Sequence, residues 1–366
     1  MDIHNAFKYI YGTIRIKMQQ SPEQFIEYHD KGITGLANVG NTCYVNSCIQ
    51  CLSHTYELNN FLDSGTYQNR LNRKPDSVLL VEWDNLRKMM WKQNCNIAPW
   101  GFVKAVQKVS AHKGQPIFTG YSQNDVQEFL LFLIDSFHNS ISREVNMKVS
   151  GRVDNDRDVM ARSCYAMMKD MFEKDYSEIV SMFYGIHVSA IIKAGTDQVL
   201  SVRPEPFFVL SLPLPPKQGP DVTLIECMDE FCNKERMEDE NAWFNDETNQ
   251  KEDIDKGMLF WSFPEVLIIQ LKRWGHSRNK DKRLVSCDLD CTDLTPYVNG
   301  YNPESYKYQL YGVCNHQGGE MGGHYTANVR TAKGHWMCFN DMSVKPVEES
   351  KVVSPSAYCL FFRKIK

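Results

Sequence analysis

Residues 35–53 read GLANVGNTCYVNSCIQCLS. A turn rich in glycine and asparagine comes first and delivers Cys43 to the start of a segment with helical residue spacing. Thr42 is the expected N-cap of this helix, which we predict to extend to about residue 62. Unpaired N–H groups at a helix N-terminus favour a thiolate, so the sequence predicts Cys43 to be a nucleophile.

The composition of the whole chain is typical of a soluble globular protein. It has 366 residues, of which 42% are hydrophobic and 23% charged, and its formal net charge is −4. A chain without a basic field is a poor match for nucleic acid, and its charge weakly favours a neutral or basic protein partner. No apolar run reaches the roughly 20 residues that a membrane helix needs, and the N-terminus lacks the features of a signal peptide. We therefore expect an intracellular protein without a membrane partner, whose 12 cysteines stay reduced.

The first half of the chain has the periodicity of helices. Apolar residues at helical spacing predict helices over 78–94 and 99–110, and a strongly apolar one within 121–135 that Ser122 would cap. Residues 1–31 share this periodicity, and we interpret them as an N-terminal helical extension packed on the main domain, residues 32–366. A tail that binds a partner is the alternative for residues 1–31.

The second half, from about residue 175, has the pattern of β-strands separated by Gly, Pro and Asn turns. The predicted strands cover residues 183–192, 197–203, 207–214, 265–271, 308–316, 324–330 and 357–363. Residues 233–257 are acidic and polar, and we predict a long exposed excursion from a sheet there. A helical part followed by a β part predicts an α+β fold.

A cysteine nucleophile needs a base, and His324 is the best candidate among the 10 histidines. It follows the glycines of GGEMGGH (318–324) and begins a predicted strand. The glycines would let the loop approach a substrate backbone closely, and the strand would hold the imidazole rigidly. His316 and His335 are the nearest rivals, but neither combines these two features. An ordinary polar loop residue is the alternative interpretation.

Two further sites could complete the chemistry. Asn340 and Asp341 follow an apparent strand that could pair with the His324 strand as a hairpin, and either side chain could orient the imidazole. Asn38 lies five residues before Cys43, where its amide could face a developing oxyanion. The alternative is that all three simply form turns.

Five ordered motifs, spanning residues 33 to 363, resemble those of the ubiquitin-specific proteases. The stretch around Cys43 is similar to the cysteine box of that family, and Tyr121–Phe129 is similar to its Gln-Asp-x-x-Glu-Phe box. Residues 270–274 (QLKRW), Gly323–Tyr325 with 336–344, and 356–362 (SAYCLFF) resemble its remaining motifs in the same order.

The resemblance implies a papain-like cysteine protease with the right-hand architecture of the family. A helical thumb over about 32–175 would carry the nucleophile Cys43, and a β palm with fingers over about 176–366 would carry the base His324 and the orienting Asn340. By the same resemblance, Asn38 occupies the oxyanion-hole position and Asp341 is a second, assisting acidic residue.

The resemblance also implies ubiquitin and ubiquitinated proteins as partners, bound by a monomeric catalytic domain without a cofactor. Asp125 matches a position that meets an arginine of the ubiquitin tail, although capping its own helix is an equal alternative. Gln123 and Gln127 are weaker candidates for contacting the tail. Gly322 and Gly323 would line a narrow channel for its diglycine end.

The chain departs from many family members where a zinc ribbon would lie. Its corresponding stretches, 191–196 and 242–247, contain no cysteine, so we predict no structural zinc. Three cysteine pairs could be mistaken for metal or redox motifs, and for each we prefer a packing or loop interpretation. These pairs are Cys48 with Cys51, Cys227 with Cys232, and Cys287 with Cys291.

The leading functional hypothesis is a deubiquitinase that cleaves after the last glycine of ubiquitin. One alternative is a catalytically silent scaffold that binds ubiquitin, and another is a protease for a ubiquitin-like modifier. Retention of Cys43, His324 and Asn340 together with Asn38 favours the enzyme.

Overall fold

The computed structural model of this chain describes residues 25–365 except for 115–116, 119–121, 197, 217–218, 220, 247, 276–278 and 320–321. The helix predicted for the N-terminal extension therefore lies largely outside the described residues. Its described end forms a short 3-10 turn, Ile26–Tyr28, rather than a continuing helix. The ring of Tyr28 stacks on Tyr56 with 4.5 Å between ring centroids, so this end of the extension packs on the helical part.

Helices dominate the described chain up to residue 183. They are α1 (Cys43–Ser53), α2 (Tyr56–Asp63), α3 (Asp76–Lys92), α4 (Trp100–His112), α5 (Val126–Ile141), α6 (Asp156–Phe172), α7 (Glu178–Phe183) and, later in the chain, α8 (Leu224–Cys232). The predictions for 78–94 and 99–110 are confirmed by α3 and α4. Among the described helices none is both long and apolar enough to cross a membrane.

Strands form most of the remainder. They are β1 (Gly35–Leu36), β2 (Asn96–Ile97), β3 (Gly185–Lys193), β4 (Val199–Phe207), β5 (Val209–Pro213), β6 (Asp221–Thr223), β7 (Glu235–Met237), β8 (Trp243–Asn245), β9 (Gln250–Glu252), β10 (Ile254–Ser262), β11 (Val266–Lys272), β12 (Leu284–Ser286), β13 (Thr292–Asp293), β14 (Lys307–Gly319), β15 (Gly322–Arg330), β16 (Trp336–Asn340), β17 (Ser343–Pro346) and β18 (Ala357–Lys364). All seven predicted strands are present, with boundaries shifted by a few residues.

Two sheets contain twelve of these eighteen strands. The larger has the order β17-β16-β15-β14-β18-β11-β5, with β13 paired to β14, and the smaller has the order β4-β3-β10-β7. The sequence of strand β11 is almost continuously apolar because both faces of the strand are buried. Val266 and Ile268 face the core shared with the helices, while Leu267 and Ile269 face a second core. The predicted α+β architecture is confirmed.

Helix α1 is buried along its whole length, between the larger sheet and the other helices. The prediction of one helix from 43 to 62 is wrong, because the first helix ends at Ser53 and a second helix begins at Tyr56. The carbonyl group of Ser53 accepts hydrogen bonds from Asn59 Nδ2 at 2.7 Å and from Trp91 Nε1 at 3.1 Å. Tertiary donors thus stabilise a break that helical periodicity does not reveal.

The acidic stretch 233–257 is less irregular than predicted. It is largely exposed, but it contains β7, the small hairpin of β8 and β9, and the start of β10, which belongs to the smaller sheet. The hairpin is fixed by Glu252, whose Oε1 accepts hydrogen bonds from Asn245 at 2.8 Å and Thr248 at 2.7 Å. The described part of this stretch is therefore a projection with exposed acidic side chains.

Candidate active site

Cys43 is the first residue of α1 and follows a loop, residues 38–42, whose members are hydrogen-bonded to one another. The prediction that Thr42 caps the helix with its side chain is wrong, because its hydroxyl makes no capping hydrogen bond. The hydroxyl donates to Asn38 Oδ1 at 3.2 Å and accepts from the Val39 N–H at 3.1 Å. Because Thr42 is turned toward the preceding loop, it stabilises that loop and leaves the first N–H groups of α1 available to the thiol.

The environment of the Cys43 thiol opposes ionisation on balance. Burial raises its pKa above the ordinary value, and the negative charge of Asp341 raises it further. Hydrogen bonds from the backbone N–H groups of Tyr325 and Tyr44 lower it, but by less than burial raises it. The expected preference for thiolate at the helix start is therefore outweighed by desolvation in the free protein.

His324 lies on β15, and Asn340 is the last residue of the neighbouring strand β16. The two strands form the predicted antiparallel hairpin, and His324 Nε2 lies 2.8 Å from Asn340 Oδ1. Since a carboxamide oxygen can only accept, Nε2 carries the proton and Nδ1 keeps a lone pair. Strand β15 packs against α1, and Tyr325, directly after His324, donates its N–H to the Cys43 thiol.

Asp341 ties this hairpin to the loop before Cys43. It occupies the left-handed region at φ 50°, and its carboxylate accepts from Asn46 Nδ2 at 2.8 Å and Asn38 Nδ2 at 3.2 Å. Its carbonyl group also accepts the N–H of Leu36 at 3.0 Å. The sequence did not single out Asn46, and only its place one turn after Cys43 on the helix could have suggested it.

Asn38 lies beside this cluster on the exposed side of the loop. Its Oδ1 accepts the N–H of Thr42 at 3.1 Å, while its amide group points to Asp341. An amide nitrogen has two protons, so one donor stays available beyond the bond to Asp341.

Gln123 bridges the helical part to the His324 strand. Its Oε1 accepts the N–H of Gly323 at 2.7 Å, and its Nε2 donates to the Gly323 carbonyl at 3.0 Å. A Cβ at Gly323 would lie 2.3 Å from His316 Nε2, so only glycine fits here. Gly322 lies beside the same Gln123 amide, because a Cβ added at Gly322 would lie 3.4 Å from Gln123 Oε1. The structure therefore brings three predicted substrate-binding residues together.

Asp125, and not Ser122, caps the apolar helix α5. Its Oδ1 accepts the backbone N–H of Gln127 at 2.7 Å, which is the alternative considered for this residue. Its other oxygen, Oδ2, accepts the Tyr358 hydroxyl at 2.6 Å. The Gln127 side chain donates to Ser211 Oγ at 3.3 Å, so Gln127 faces the larger sheet.

His316, rejected as the base, lies on β14 next to the site. Its ring stacks on Tyr325 with 4.6 Å between centroids, and burial lowers its pKa to about 4, with a further contribution from Lys280. Lys280 Nζ lies 3.1 Å from His316 Nδ1, and burial lowers the lysine pKa to about 8. His316 is thus a neutral, packed histidine, which agrees with the choice of His324 as the candidate base.

The cysteines of these pairs lie in helices or in a loop. Cys48 and Cys51 are fully buried on α1, and Cys51 Sγ lies 3.6 Å from Cys314 Sγ on β14. Cys227 lies in α8, and Cys287 lies in the loop that leads to the exposed Cys291. Within the described ranges, no group of three or more His, Cys, Asp or Glu residues has the arrangement of a metal site.

Comparison with known proteins finds a matching family and similar curated sequences. The profile of the family described as "Ubiquitin carboxyl-terminal hydrolase" matches residues 34–362. Ubiquitin carboxyl-terminal hydrolase 2 of Homo sapiens is 32% identical over 340 residues, which cover 91% of this chain and 55% of that protein. Ubiquitin carboxyl-terminal hydrolase 21 of Mus musculus is 32% identical over 362 residues, covering 91% and 62%. The chain thus spans little more than half the length of these curated relatives.

Solved structures share the fold. The SAGA Ubp8/Sgf11/Sus1/Sgf73 DUB module bound to ubiquitin aldehyde matches with a TM-score of 0.71 at 24% identity, over 99% of this chain and 75% of that one. The same module bound to monoubiquitin matches with a TM-score of 0.70 at 24% identity, with the same coverage.

Proposed function

Because the chain belongs to the ubiquitin carboxyl-terminal hydrolase family, we propose that it is a deubiquitinase that hydrolyses the bond after the C-terminal glycine of ubiquitin. The observation that carries the proposal is the 2.8 Å contact between His324 Nε2 and Asn340 Oδ1, on a hairpin packed against the helix that begins at Cys43. The contact supports the proposal because a cysteine nucleophile requires a base and a group that orients that base.

In the proposed first step, His324 Nδ1 removes the proton of the Cys43 thiol, and the sulfur attacks the carbonyl carbon of the last glycine. The electron pair of the C=O bond moves to oxygen, and the resulting oxyanion is stabilised by the free proton of Asn38 Nδ2 and by N–H groups at the start of α1. The imidazolium then protonates the leaving amine, and the C–N bond breaks to give a thioester.

In the second step, His324 takes a proton from water, and the hydroxide oxygen attacks the thioester carbonyl. The C–S bond breaks, and the thiolate regains its proton from the imidazolium. Ubiquitin leaves as a carboxylic acid, which loses its proton to solvent and becomes a carboxylate. Asn340 holds the ring in one tautomer throughout, because Oδ1 accepts the Nε2 proton in both steps. Asp341 assists through its bonds to Asn38 and Asn46.

The extended tail of ubiquitin would bind between Gln123 and the Gly322–Gly323 backbone. Gln123 currently pairs with both backbone groups of Gly323, as a neighbouring strand would, so an incoming backbone can replace it there. Asp125 would meet an arginine of the tail, with Gln127 alongside. The rest of ubiquitin supplies specificity, because a diglycine end has no side chains to recognise.

The test is hydrolysis of ubiquitin carrying a C-terminal coumarin, together with labelling by ubiquitin that has an electrophilic C-terminus. We expect turnover and labelling by the wild-type chain, and neither by Cys43→Ala, which should still bind ubiquitin. Cys291→Ala, at an exposed cysteine in the loop before β13, is the matched control and should behave like wild type.

The same probes separate the alternatives. Ubiquitin binding without labelling of Cys43 would contradict the enzyme and support a silent scaffold. Labelling only by the probe of another modifier would contradict ubiquitin as the substrate and support a protease for that ubiquitin-like protein.

A further inference from the structure

We infer that Tyr358 and Gln270 are positioning residues that aim the Asp125 carboxylate at a cationic side chain of the bound substrate tail. The inference rests on the proposed function, and it concerns how the substrate-binding side of that site is built. It is carried by a closed ring of hydrogen bonds that joins α5 to three strands of the larger sheet.

The ring begins and ends at the start of α5. The Gln127 side chain donates to Ser211 on β5 at 3.3 Å, and Ser211 Oγ donates to Gln270 Oε1 on β11 at 2.8 Å. Gln270 Nε2 donates to the Tyr358 hydroxyl on β18 at 2.9 Å, and that hydroxyl donates to Asp125 Oδ2 at 2.6 Å. The ring closes where the backbone N–H of Gln127 donates to Asp125 Oδ1 at 2.7 Å.

Chemistry fixes the direction of every donor in this ring. An ionised carboxylate only accepts, so the single hydroxyl proton of Tyr358 must point to Asp125. Gln270 then supplies the proton that the Tyr358 oxygen accepts. Burial, with the nearby Asp125 charge, raises the pKa of Tyr358 well above its usual value, so the hydroxyl remains a donor at any working pH.

The cap of α5 needs only one carboxylate oxygen of Asp125. The bond from Tyr358 to the second oxygen adds nothing to that cap, but it fixes the rotation of the carboxylate group about its own axis. A carboxylate has about four acceptor positions, and the ring uses two, so positions remain for a guanidinium that donates two parallel bonds.

The ring also places Asp125 close to the proposed chemistry. Besides burial, the charge of Asp125 raises the pKa of Tyr325, the residue that follows His324 and donates to the Cys43 thiol. Tyr358 and Gln270 are buried, at 3% and 8% exposure, whereas Asp125 is partly exposed. A buried donor pair thus supports an accessible charge.

The experiment compares Tyr358→Phe with wild type on ubiquitin–coumarin. Loss of the hydroxyl should raise KM about tenfold and change kcat less than twofold, since the carboxylate loses its orientation and the reacting groups do not. Gln270→Met, which removes the donor to Tyr358, should raise KM in the same direction by a smaller factor.

Tyr311→Phe is the matched control. Tyr311 is as buried as Tyr358, and its hydroxyl lies 2.7 Å from Thr55 Oγ1, away from Asp125. It should leave KM unchanged, whereas an equal rise in KM would show a general effect of removing a buried hydroxyl and overturn the inference.

A double-mutant cycle supplies the readout that a purely structural role would not move. Each arginine of the ubiquitin tail is replaced by leucine in turn, and Tyr358→Phe is measured on each substrate. For one arginine, the KM penalty of Tyr358→Phe should disappear, because the carboxylate no longer has a cation to meet.

The outcomes distinguish the inference from the function beneath it. Wild-type turnover with an unchanged KM in both Tyr358→Phe and Gln270→Met, or a penalty that persists on every substrate, overturns the inference alone. Absence of ubiquitin–coumarin hydrolysis by the wild-type chain overturns the proposed function and this inference with it.

Discussion

Asp341 accepts a hydrogen bond from the side-chain amide of Asn46 at 2.8 Å, and this bond joins the helix of Cys43 to the hairpin of His324. The partners are 295 residues apart in the chain. The bond is reinforced by Asn38, which donates to the other carboxylate oxygen. The Asp341 side chain therefore helps to set the spacing between the two halves of the proposed site.

Replacing Asp341 should misplace these halves relative to each other. We expect Asp341→Ala to lower kcat on ubiquitin–coumarin by about 100-fold, since displacements near 1 Å are costly for catalysis. Steady-state kinetics measure the effect, and thermal unfolding checks that the fold persists. Glu348→Ala, at an exposed acidic residue, is the control, and equal kinetics for both variants would contradict the role of Asp341.

Asn340 is proposed to act only as an acceptor for the His324 ring. Asn340→Asp keeps an oxygen at that position and should retain most of the activity. Asn340→Ala leaves the imidazole free to rotate and should lower kcat by roughly 10²- to 10⁴-fold. A kcat for Asn340→Ala close to that of wild type would shift the orienting role to Asp341.

The stability of the fold should depend on pH through its buried histidines. Burial lowers the pKa of His54 to about 4, below the ordinary value of roughly 6.5, and that of His316 also to about 4. As the pH falls, the unfolded chain binds these protons first, so the stabilisation present above pH ~6.5 is lost progressively toward pH ~4.

Denaturant unfolding at several pH values measures this loss. Each such histidine should lower the free energy of unfolding by about 1.4 kcal/mol per pH unit within that window. His54→Gln should make the dependence shallower. A free energy of unfolding that is flat between these pH values would contradict the assignment.

The acidic projection is predicted to bind a basic surface of ubiquitin. Glu238 and Glu240 are exposed there, and their replacement by lysine should raise KM several-fold at low ionic strength, with the effect shrinking in salt. The intrinsic reactivity of Cys43 toward a small alkylating reagent should not change. Lysine substitutions at the exposed Glu348 and Glu349 are the matched control, and an unchanged KM for the Glu238 and Glu240 variants would reject the surface.

Structural zinc is predicted to be absent from the fingers, since the stretches 191–196 and 242–247 lack the cysteines that would bind it. Metal analysis of the purified protein should find far less than one zinc per chain. Treatment with a chelator should leave the unfolding temperature unchanged. One stoichiometric zinc would overturn this prediction.

The sequence was sufficient for the features that local pattern encodes. Glycine and asparagine before Cys43 predict a turn and a helix start. The two apparent strands that carry His324 and Asn340 predict the hairpin that the structure contains. The resemblance of ordered motifs identified the family. Strand positions were correct to within a few residues because β-branched and aromatic residues are interrupted there by clear turn signals.

What the local pattern could not supply depends on residues far apart in the chain. The break after Ser53 is stabilised by Trp91, and the second bond of Asp125 comes from Tyr358, 233 residues away. The raised pKa of the Cys43 thiol reflects desolvation, which is a property of the packed interior and not of the helix start. The sequence by itself determined the candidate site residues and most of the elements, and the tertiary structure decided how they are hydrogen-bonded and charged, because burial and long-range partners exist only once the chain has folded.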